Sequence, residues 1–189
     1  VRPAVVADAD AIAAAHVWGW RVGYRGLFPD EYLDADEFET SRVERWRAWT
    51  WVDFGGPTGQ LFVVQVDDRV VGFGHAGAER HEPVCDQSGL SLEPALSEVR
   101  GEVYGFYLHP DAWGSGAAAP LMRTCESHPA GHGYTEAVLW VLRDNPRARG
   151  FYAKAGWRAS GEQGSWPGPQ SATAGDRRLW CGAGSTPRA

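Results

Sequence analysis

Hydrophobic and polar positions follow two different periods along the chain, and this pattern predicts helices and strands in succession. Residues 1–6 are a short strand candidate. Apolar residues at helical spacing then predict a helix that begins at Asp8 or Asp10 and ends near Gly23. The same spacing predicts a second helix over residues 37–51. We therefore expect the N-terminal part of the chain to be mainly helical.

The middle of the chain carries the first strong strand signals. Residues 60–66 and 70–78 are rich in β-branched and aromatic side chains. The polar turn Asp67-Asp68-Arg69 between them predicts a β-hairpin. Residues 81–97 contain two prolines and show no clear period, which predicts a loop or an insertion.

A strand over residues 99–108 is predicted next. The glycines inside it, Gly101 and Gly105, indicate a bulge or a close approach of another backbone. A loop of small residues at 112–118 then leads into a helix that ends just before Pro129. The remaining segments are predicted, in order, as a strand over 135–142, a helix over 145–155 and two closing strands over 157–163 and 177–181.

The length and composition favour one ordinary globular domain. A chain of 189 residues has the size of one domain, so we expect a single domain over residues 1–189. Its 43% hydrophobic and 22% charged residues exclude a fibrous or disordered chain. Ten Trp, six Tyr and seven Phe predict a bulky core, a binding surface lined by rings, or both.

The net charge and the cysteines exclude several classes of partner. A formal charge of −6 disfavours a broad surface for nucleic acid or an anionic membrane, so local groups must hold any anionic ligand. Cys85, Cys125 and Cys181 form no C-x-x-C pair, which indicates neither disulfides nor a zinc site. We expect no metal and a reducing cytoplasm. The apolar run 137–142 is far shorter than the ~18 residues that span a bilayer, and no leader opens the chain, which favours a soluble, unexported protein.

The loop at residues 112–118 has the composition of an anion site. The first N–H groups of a helix lack backbone partners, and the positive end of the helix dipole lies there. Gly114, Gly116, Ala117 and Ala118 would let a phosphate approach that backbone. A plain tight connection between a strand and a helix is the alternative interpretation.

This loop is one of several sequence segments whose order along the chain matches that of a known protein superfamily. They are the strand 102–108, His109-Pro110-x-x-x-Gly114-x-Gly116-x-Ala118, the strand 137–142, Asn145-x-x-Ala148-x-x-Phe151-Tyr152-x-Lys154-x-Gly156-Trp157 and, near the N-terminus, Trp20-Arg21-x-x-Tyr24-x-Gly26-Leu27-x-Pro29-x-x-Tyr32-Leu33. The segments within residues 99–159 resemble the acetyl-CoA site of the GNAT superfamily of N-acetyltransferases. The N-terminal segment resembles one bacterial branch of these enzymes. The ordered combination is more specific than any single piece.

The resemblance implies an α/β (α+β) fold with a single GNAT-like domain. Its central sheet would be mixed and mostly antiparallel, flanked by helices, and splayed where CoA enters. The helices at about residues 8–54 would lie on the acceptor side, and residues 99–159 would hold the co-substrate acetyl-CoA. The implied activity is acetyl transfer to a primary amine of a small cationic or aromatic molecule, by direct attack in a ternary complex. We expect a monomer or homodimer in a bacterial cytoplasm.

The resemblance also implies roles for individual residues. A bulge flanked by Tyr107 and Leu108 would present a backbone N–H to the thioester carbonyl, and such a donor is worth roughly 3 kcal/mol in comparable sites. Asn145 would hydrogen-bond the pantetheine arm. Tyr152 would protonate the departing CoA thiolate, because a tyrosine pKa of about 10 lies just above a thiol pKa of about 8.5. The loop residues that would hold the pyrophosphate are Trp113, Gly114, Ser115, Gly116, Ala117 and Ala118.

The acceptor amine must lose a proton before it attacks, because an ammonium has no lone pair. Glu102 stands where related enzymes often carry an acidic residue, and it is our candidate base; a strand Glu that is merely exposed or binds the substrate cation is the alternative. His75 is the reserve base. Trp20, Tyr24 and His75 are the candidate substrate-binding residues, although the aromatic stripe also fits a core. The acidic run 30–39 would favour a cationic amine.

Three residues depart from the family pattern. Trp113 stands where Gln or Arg usually begins the loop, Ser115 replaces a residue that is often basic, and Pro120 lies near the end of the first helical turn. The loop itself therefore brings no positive charge. The side chains that could supply it are Arg123, Arg147, Arg149 and Lys154. Two alternative hypotheses follow: a domain that binds CoA or another ligand without turnover, and an enzyme that acetylates protein N-termini or lysines.

Overall fold

The computed structural model describes residues 1–48, 59–80, 96–166 and 177–185. Their strands form one seven-stranded sheet in the order β1-β2-β3-β4-β5-β7-β6. The strands are β1 (Arg2–Pro3), β2 (Gln60–Val66), β3 (Arg69–Arg80), β4 (Leu96–Leu108), β5 (Glu136–Leu142), β6 (Arg158–Trp166) and β7 (Arg177–Ser185). The α-helices are α1 (Ala9–Gly23), α2 (Asp30–Leu33), α3 (Asp36–Ala48), α4 (Ala118–Gly131) and α5 (Pro146–Lys154).

The pairing of the strands confirms a mixed, mostly antiparallel sheet. The pair β4–β5 is parallel, and the other five pairs of this sheet are antiparallel. Helices cover both faces. Phe73 of β3 contacts His16 of α1, and its neighbour Gly74 faces Cys125 of α4, because successive strand residues point to opposite faces.

The predicted elements reappear with changed ends. The first strand is reduced to Arg2 and Pro3, because the chain then turns through a 3-10 turn in which Asp8 binds the Arg2 guanidinium. The short helix α2 was not predicted, since four residues are too few to show a period. Residues 49–51 of the second predicted helix and residues 81–95 of the predicted loop lie outside the described residues, and β4 begins earlier than expected, at Leu96.

The predicted hairpin is confirmed between β2 and β3. Both turn residues, Asp67 and Asp68, have positive φ, at 49° and 60°. Such a turn matches the twist of two antiparallel strands, and aspartate tolerates this conformation better than most side chains. The polar sequence between the two strands is therefore the sequence that the turn requires.

Helix α4 continues through Pro129 instead of ending before it. A Cβ atom added at Gly101 of β4 would lie 2.4 Å from the Pro129 ring, so the proline packs directly on the strand. Gly101 therefore provides the close approach that a glycine inside a strand indicated. Packing against the sheet keeps the proline in the last turn, where the loss of one hydrogen bond is tolerated.

The bulge predicted near the end of β4 lies farther from the loop than expected. His75 pairs with Gly105 and Ala76 pairs with Val103, so Tyr104 is the extra residue. Gly105 thus marks the bulge as predicted. The expected position between Tyr107 and Leu108 is wrong, because these two residues pair in regular register with β3.

Three groups of buried apolar side chains form the core. The first lies between the sheet and α4, the second joins α1 and α3 to the sheet, and the third is aromatic and connects α1, α2 and α3. The third group contains Trp20, Phe28 and Phe38. None of the helices in the described ranges has both the length and the apolar character needed to cross a membrane.

Candidate active site

The sheet splits between its two parallel strands. β4 and β5 pair over four positions, from Arg100 with Glu136 to Val103 with Leu139. Beyond these positions β4 continues along β3, and β5 continues along β7. The two strands leave a cleft with a cavity of about 260 Å³. The structure thus contains the predicted splay.

The wall of this cavity contains most of the residues predicted for the cofactor site. It combines the end of β4, the loop before α4, the start of α5 and two glycines of α1. The predicted residues in the wall are Tyr24, Tyr107, Leu108, Trp113, Gly114, Gly116, Ala118, Asn145 and Tyr152. Ser115 and Ala117 lie in the same loop but not in the wall.

The edge of β4 that faces the cleft offers backbone groups. The N–H of His109 donates to the carbonyl of Val71, and in regular antiparallel pairing alternate residues share this direction. Tyr107 therefore directs its backbone towards β3, while Phe106 and Leu108 direct theirs towards the cleft. Their N–H groups are the donors that this edge can present to a ligand.

Two residues with positive φ shape the loop before α4. Gly114 has a φ of 82° and Gly116 a φ of 88°, in the region where a Cβ atom is unfavourable. The hydroxyl of Ser115 donates to the carbonyl of Ala112 at 2.7 Å and accepts from the N–H of Ala117. Ser115 therefore holds the loop in shape, and the loop opens on the N-terminus of α4.

An arginine from α5 brings positive charge to this loop. The guanidinium carbon of Arg147 lies 3.3 Å from the ring centroid of Trp113, and both residues are in the cavity wall. The indole is held in turn, because its Nε1–H donates to the carbonyl of Leu108 at 3.1 Å. Of the four basic residues considered above, Arg147 is the one in the wall. Its stacking on Trp113 depends on two segments far apart in the chain.

Asn145 caps the helix α5. Its Oδ1 atom accepts from the N–H of Ala148 at 3.0 Å, and Pro146 occupies the first helical position. The side chain is buried and lies in the cavity wall. The cap uses the amide oxygen, so a ligand in the cavity would meet the amide nitrogen.

Tyr152 lies about two helical turns further along and is 9% exposed. Burial raises the pKa of its hydroxyl, so Tyr152 stays protonated at neutral pH. Its ring contacts Phe151 and Trp157. The cavity therefore holds a neutral hydroxyl donor in fixed position.

Glu102 is not brought to the cavity. It is 2% exposed and lies outside the cavity wall. Its two carboxylate oxygens accept from the guanidinium of Arg80 at 2.7 and 3.2 Å, and one also accepts from the Arg80 backbone N–H. A carboxylate held in this way has a structural partner, which is a different role from the base expected from the sequence.

Two of the predicted acceptor residues also lie behind the wall. His75 is half-buried beside Tyr104 with its Nε2 atom buried, and desolvation lowers its pKa to about 3, so the imidazole stays neutral. Trp20 is 8% exposed and stacks on Tyr24 at 4.4 Å, which places Trp20 as the support of a residue in the wall. Tyr24 is the predicted acceptor residue that reaches the cavity.

The prediction missed residues whose role depends on close packing. Gly19 of α1 lies in the wall, and a Cβ atom there would be 3.3 Å from the carbonyl of Leu108. Phe106 and Phe151 are stacked in the wall at 5.4 Å. For Gly19 the sequence signal was a glycine inside an otherwise apolar helix. The stacked pair Phe106 and Phe151 has no such signal in the sequence.

A split sheet, a glycine loop at a helix N-terminus and a buried hydroxyl are the features that the resemblance to acetyl-CoA-dependent acyltransferases implies. Sequence comparison agrees: residues 20–157 match the model of the acetyltransferase (GNAT) family. The chain therefore belongs to the GNAT acetyltransferase family and is an acetyl-CoA-dependent N-acetyltransferase.

Similar proteins come from bacteria and archaea. The uncharacterized N-acetyltransferase YuaI of Bacillus subtilis is 29% identical over 151 residues, which cover 77% of this chain and 73% of the relative. The PaiA N-acetyltransferase of Thermoplasma acidophilum, solved with coenzyme A, is 16% identical with a TM-score of 0.63, covering 95% of each chain. YncA of Salmonella typhimurium, solved with acetyl-CoA, is 16% identical with a TM-score of 0.61, covering 100% of this chain and 94% of YncA. At this identity, both structures show the fold.

Proposed function

We propose that the chain transfers the acetyl group of acetyl-CoA directly to a primary amine of a small molecule, with both substrates bound together. The observation that carries this proposal is the composition of one cleft. Its wall combines the glycine loop, the free edge of β4 and the hydroxyl of Tyr152 with Tyr24, the aromatic residue that follows α1. Donor and acceptor can therefore meet in a single cavity.

The phosphates of the donor would lie at the loop. Gly114 and Gly116 let an anion approach the backbone, and the N-terminus of α4 directs N–H groups and a positive dipole towards it. Pro120 is the third residue of α4 and lacks one of these N–H groups. Arg147 on Trp113 would supply charge that the loop sequence lacks.

The thioester carbonyl would lie against β4. The N–H groups of Phe106 and Leu108 point towards the cleft, so a carbonyl oxygen there accepts a hydrogen bond that strengthens as negative charge develops. One such donor contributes roughly 3 kcal/mol to transition-state stabilisation. The strand edge would thus serve as the oxyanion site.

Tyr152 would assist the departure of CoA. The neutral amine attacks the carbonyl carbon, the C–S bond then breaks, and overall a proton passes from the new ammonium nitrogen to sulfur. The protonated hydroxyl of Tyr152 can donate its own proton to sulfur as the C–S bond breaks. It then takes up the proton that leaves the ammonium nitrogen. Because burial raises the pKa of Tyr152, the group keeps its proton until sulfur becomes negative.

The first proton of the acceptor would leave to water. The described residues of the wall contain no carboxylate and no imidazole, and Glu102 is paired with Arg80. An ordinary alkylammonium has a pKa of about 10, so a small fraction of the amine is neutral at pH 7. The enzyme would then select this fraction, and the reaction would speed up as pH rises.

The aromatic residues favour an acceptor with a flat or apolar body. Tyr24 lies in the cavity wall, with Trp20 stacked behind it, and a ring or methylene chain could pack on this surface. The exposed acidic residues of α2 and the start of α3 would favour the approach of a cationic amine.

The proposal is tested by calorimetry with acetyl-CoA and by release of free thiol with a panel of aromatic and aliphatic primary amines. We expect binding of acetyl-CoA and thiol release that depends on the amine. Binding without thiol release would instead indicate a non-catalytic domain. Release with peptide N-termini or lysines, but with no small amine, would contradict the small-molecule acceptor.

A further inference from the structure

Arg42 of α3 is held in an unusual environment for a charged side chain. Its guanidinium carbon lies 3.3 Å from the ring centroid of Phe38 and 5.2 Å from that of Trp20. Its Nη1–H donates to the backbone carbonyl of Phe38 at 2.9 Å. Its Nε atom is buried and has no hydrogen-bond partner. A buried donor without an acceptor costs free energy, so this position calls for an acceptor.

The charge of Arg42 also lacks a counter-ion. Within the described ranges no Asp or Glu forms an ion pair with it, and burial lowers its pKa. Other arginines behave differently, because a neighbouring carboxylate raises the pKa of their guanidinium groups. They are Arg2, Arg25, Arg47 and Arg100. An anion bound beside Arg42 would give this guanidinium the negatively charged partner that those four arginines already have.

A groove beside Arg42 has room for such an anion. It has a volume of about 660 Å³ and lies between α2 and α3. Arg42, Tyr32 and Ser41 supply polar groups to its wall, and Phe38 supplies an apolar surface. Two carboxylates, Glu31 and Glu37, also line the groove, but both residues are exposed to solvent, which screens their charge.

The groove is close to the cavity that holds the reaction. The Arg42 guanidinium contacts Trp20, and Trp20 stacks at 4.4 Å on Tyr24 in the cavity wall. A second connection runs through Tyr107, which lies in the wall and near enough to Arg42 to affect its pKa. The Arg42 guanidinium therefore lies on the far side of Trp20 from Tyr24, two rings away from the cavity.

We infer that Arg42 binds a carboxylate of the acceptor, so that the substrate class is an amine whose far end carries a carboxylate on an aromatic or apolar body. This inference rests on the proposed function for the position of the amine. A planar guanidinium fits a carboxylate with two parallel hydrogen bonds. The carboxylate is preferred to a phosphate, because its single charge matches the single guanidinium among the residues that line the groove.

The test compares substrates that differ only in charge. The probe is para-(aminomethyl)benzoate, and its neutral partner is para-(aminomethyl)benzamide. We expect the wild type to prefer the carboxylate by about ten- to a hundredfold in kcat/KM, the range for a charged hydrogen bond. Arg42→Gln should remove this preference, and Arg42→Lys should keep part of it. Arg45→Gln, an exposed residue of the same helix, is the matched control and should keep the full preference.

The ratio of the two substrates within one variant separates binding from folding. If Arg42→Gln lowers activity with both substrates equally, Arg42 is a structural residue and the inference is wrong. Equal rates with the two substrates in the wild type would also overturn it, as would a faster reaction with the corresponding phosphonate. Thermal unfolding of each variant shows whether the aromatic core has been disturbed.

Failure of the proposed function gives a different result. In that case the wild type acetylates neither probe, and calorimetry with para-(aminomethyl)benzoate then decides the role of Arg42. Binding to the wild type and to Arg45→Gln, with loss of binding in Arg42→Gln, would support the carboxylate site. Binding that is equal in all three proteins, or absent from the wild type, would contradict it.

Discussion

Replacement of Arg147 by glutamine removes the positive charge that stands over Trp113 at the loop. Arg147 is exposed, and the structure shows it stacked on an indole that is itself fixed by Leu108. Glutamine keeps much of the length of the side chain and removes the charge. We therefore expect weaker binding of acetyl-CoA, with little change in the folding of the chain.

The size of the effect follows from the distance and the exposure. Two unit charges about 4 Å apart attract each other by roughly 1 kcal/mol in water and about 4 kcal/mol near a protein surface. An exposed guanidinium lies near the lower value, so we expect a loss of about 1 to 2 kcal/mol. This corresponds to a rise of about five- to thirtyfold in KM for acetyl-CoA.

The assay uses a donor with phosphates and a donor without them. KM is measured for acetyl-CoA and for acetyl-pantetheine in the wild type and in Arg147→Gln. Only acetyl-CoA should be affected, and the difference should shrink as salt is added. Arg143→Gln is the matched control, because Arg143 is exposed, precedes α5 and lies outside the cavity wall.

Two results would refute the reasoning about Arg147. An equal loss with acetyl-pantetheine would mean that the side chain supports the cavity and does not contact phosphate. An equal effect of Arg143→Gln would mean that the general charge of this surface attracts the donor, without a specific role for the stacked arginine.

Three further predictions concern catalysis and pH. Tyr152→Phe should lower kcat about a hundredfold and leave KM for acetyl-CoA nearly unchanged, because general-acid assistance is worth roughly 10² or more; Tyr134→Phe, outside the cavity wall, is the control. With an alkylamine, kcat/KM should rise about tenfold per pH unit from pH 6 to 9, following the neutral fraction of the substrate, and Glu102→Gln should not change this profile. Acid should destabilise the fold, since the unfolded chain binds a proton at His75 below pH 6.5 while the folded chain does so only near its pKa of about 3. Between pH 8 and 5 the His75 linkage lowers the free energy of unfolding by about 2 kcal/mol, and His16, whose pKa burial also lowers, adds to the fall measured by urea denaturation; replacement of exposed His132 should leave it unchanged.

Each of these predictions has an outcome that contradicts it. Unchanged turnover in Tyr152→Phe would remove Tyr152 from the mechanism. A pH profile that levels off between pH 5 and 8, and that shifts in Glu102→Gln, would restore Glu102 as the base. A free energy of unfolding that stays constant between pH 8 and 5 would show that His75 is protonated in the folded chain.

The pieces of the site that are local in sequence could be predicted. Positive φ at Gly114 and Gly116, the cap at Asn145 and the place of Tyr152 about two turns further all depend on neighbouring residues. Short-range steric and hydrogen-bonding rules govern such features, so a sequence pattern reveals them. The hairpin at Asp67 is predictable for the same reason.

The partners of charged residues could not be predicted in this way. Glu102 looks like a base on its own strand, but Arg80 on the neighbouring strand holds its carboxylate. Arg147 is one of several arginines in the sequence, and only the meeting of α5 with the loop places it on Trp113. Such pairings join residues that are distant in sequence, and the register of the sheet determines them.

The sequence by itself determined the order of helices and strands, the glycine loop, the family and the acetyl donor, because each depends on a local pattern. Tertiary structure decided which groups reach the cleft. The split between β4 and β5 opened the cavity, and the bulge lay at Tyr104 instead of between Tyr107 and Leu108. Desolvation lowers the pKa of His75, which removes this residue as a candidate base. These outcomes depend on packing and desolvation, which arise only when distant segments of the chain are brought together.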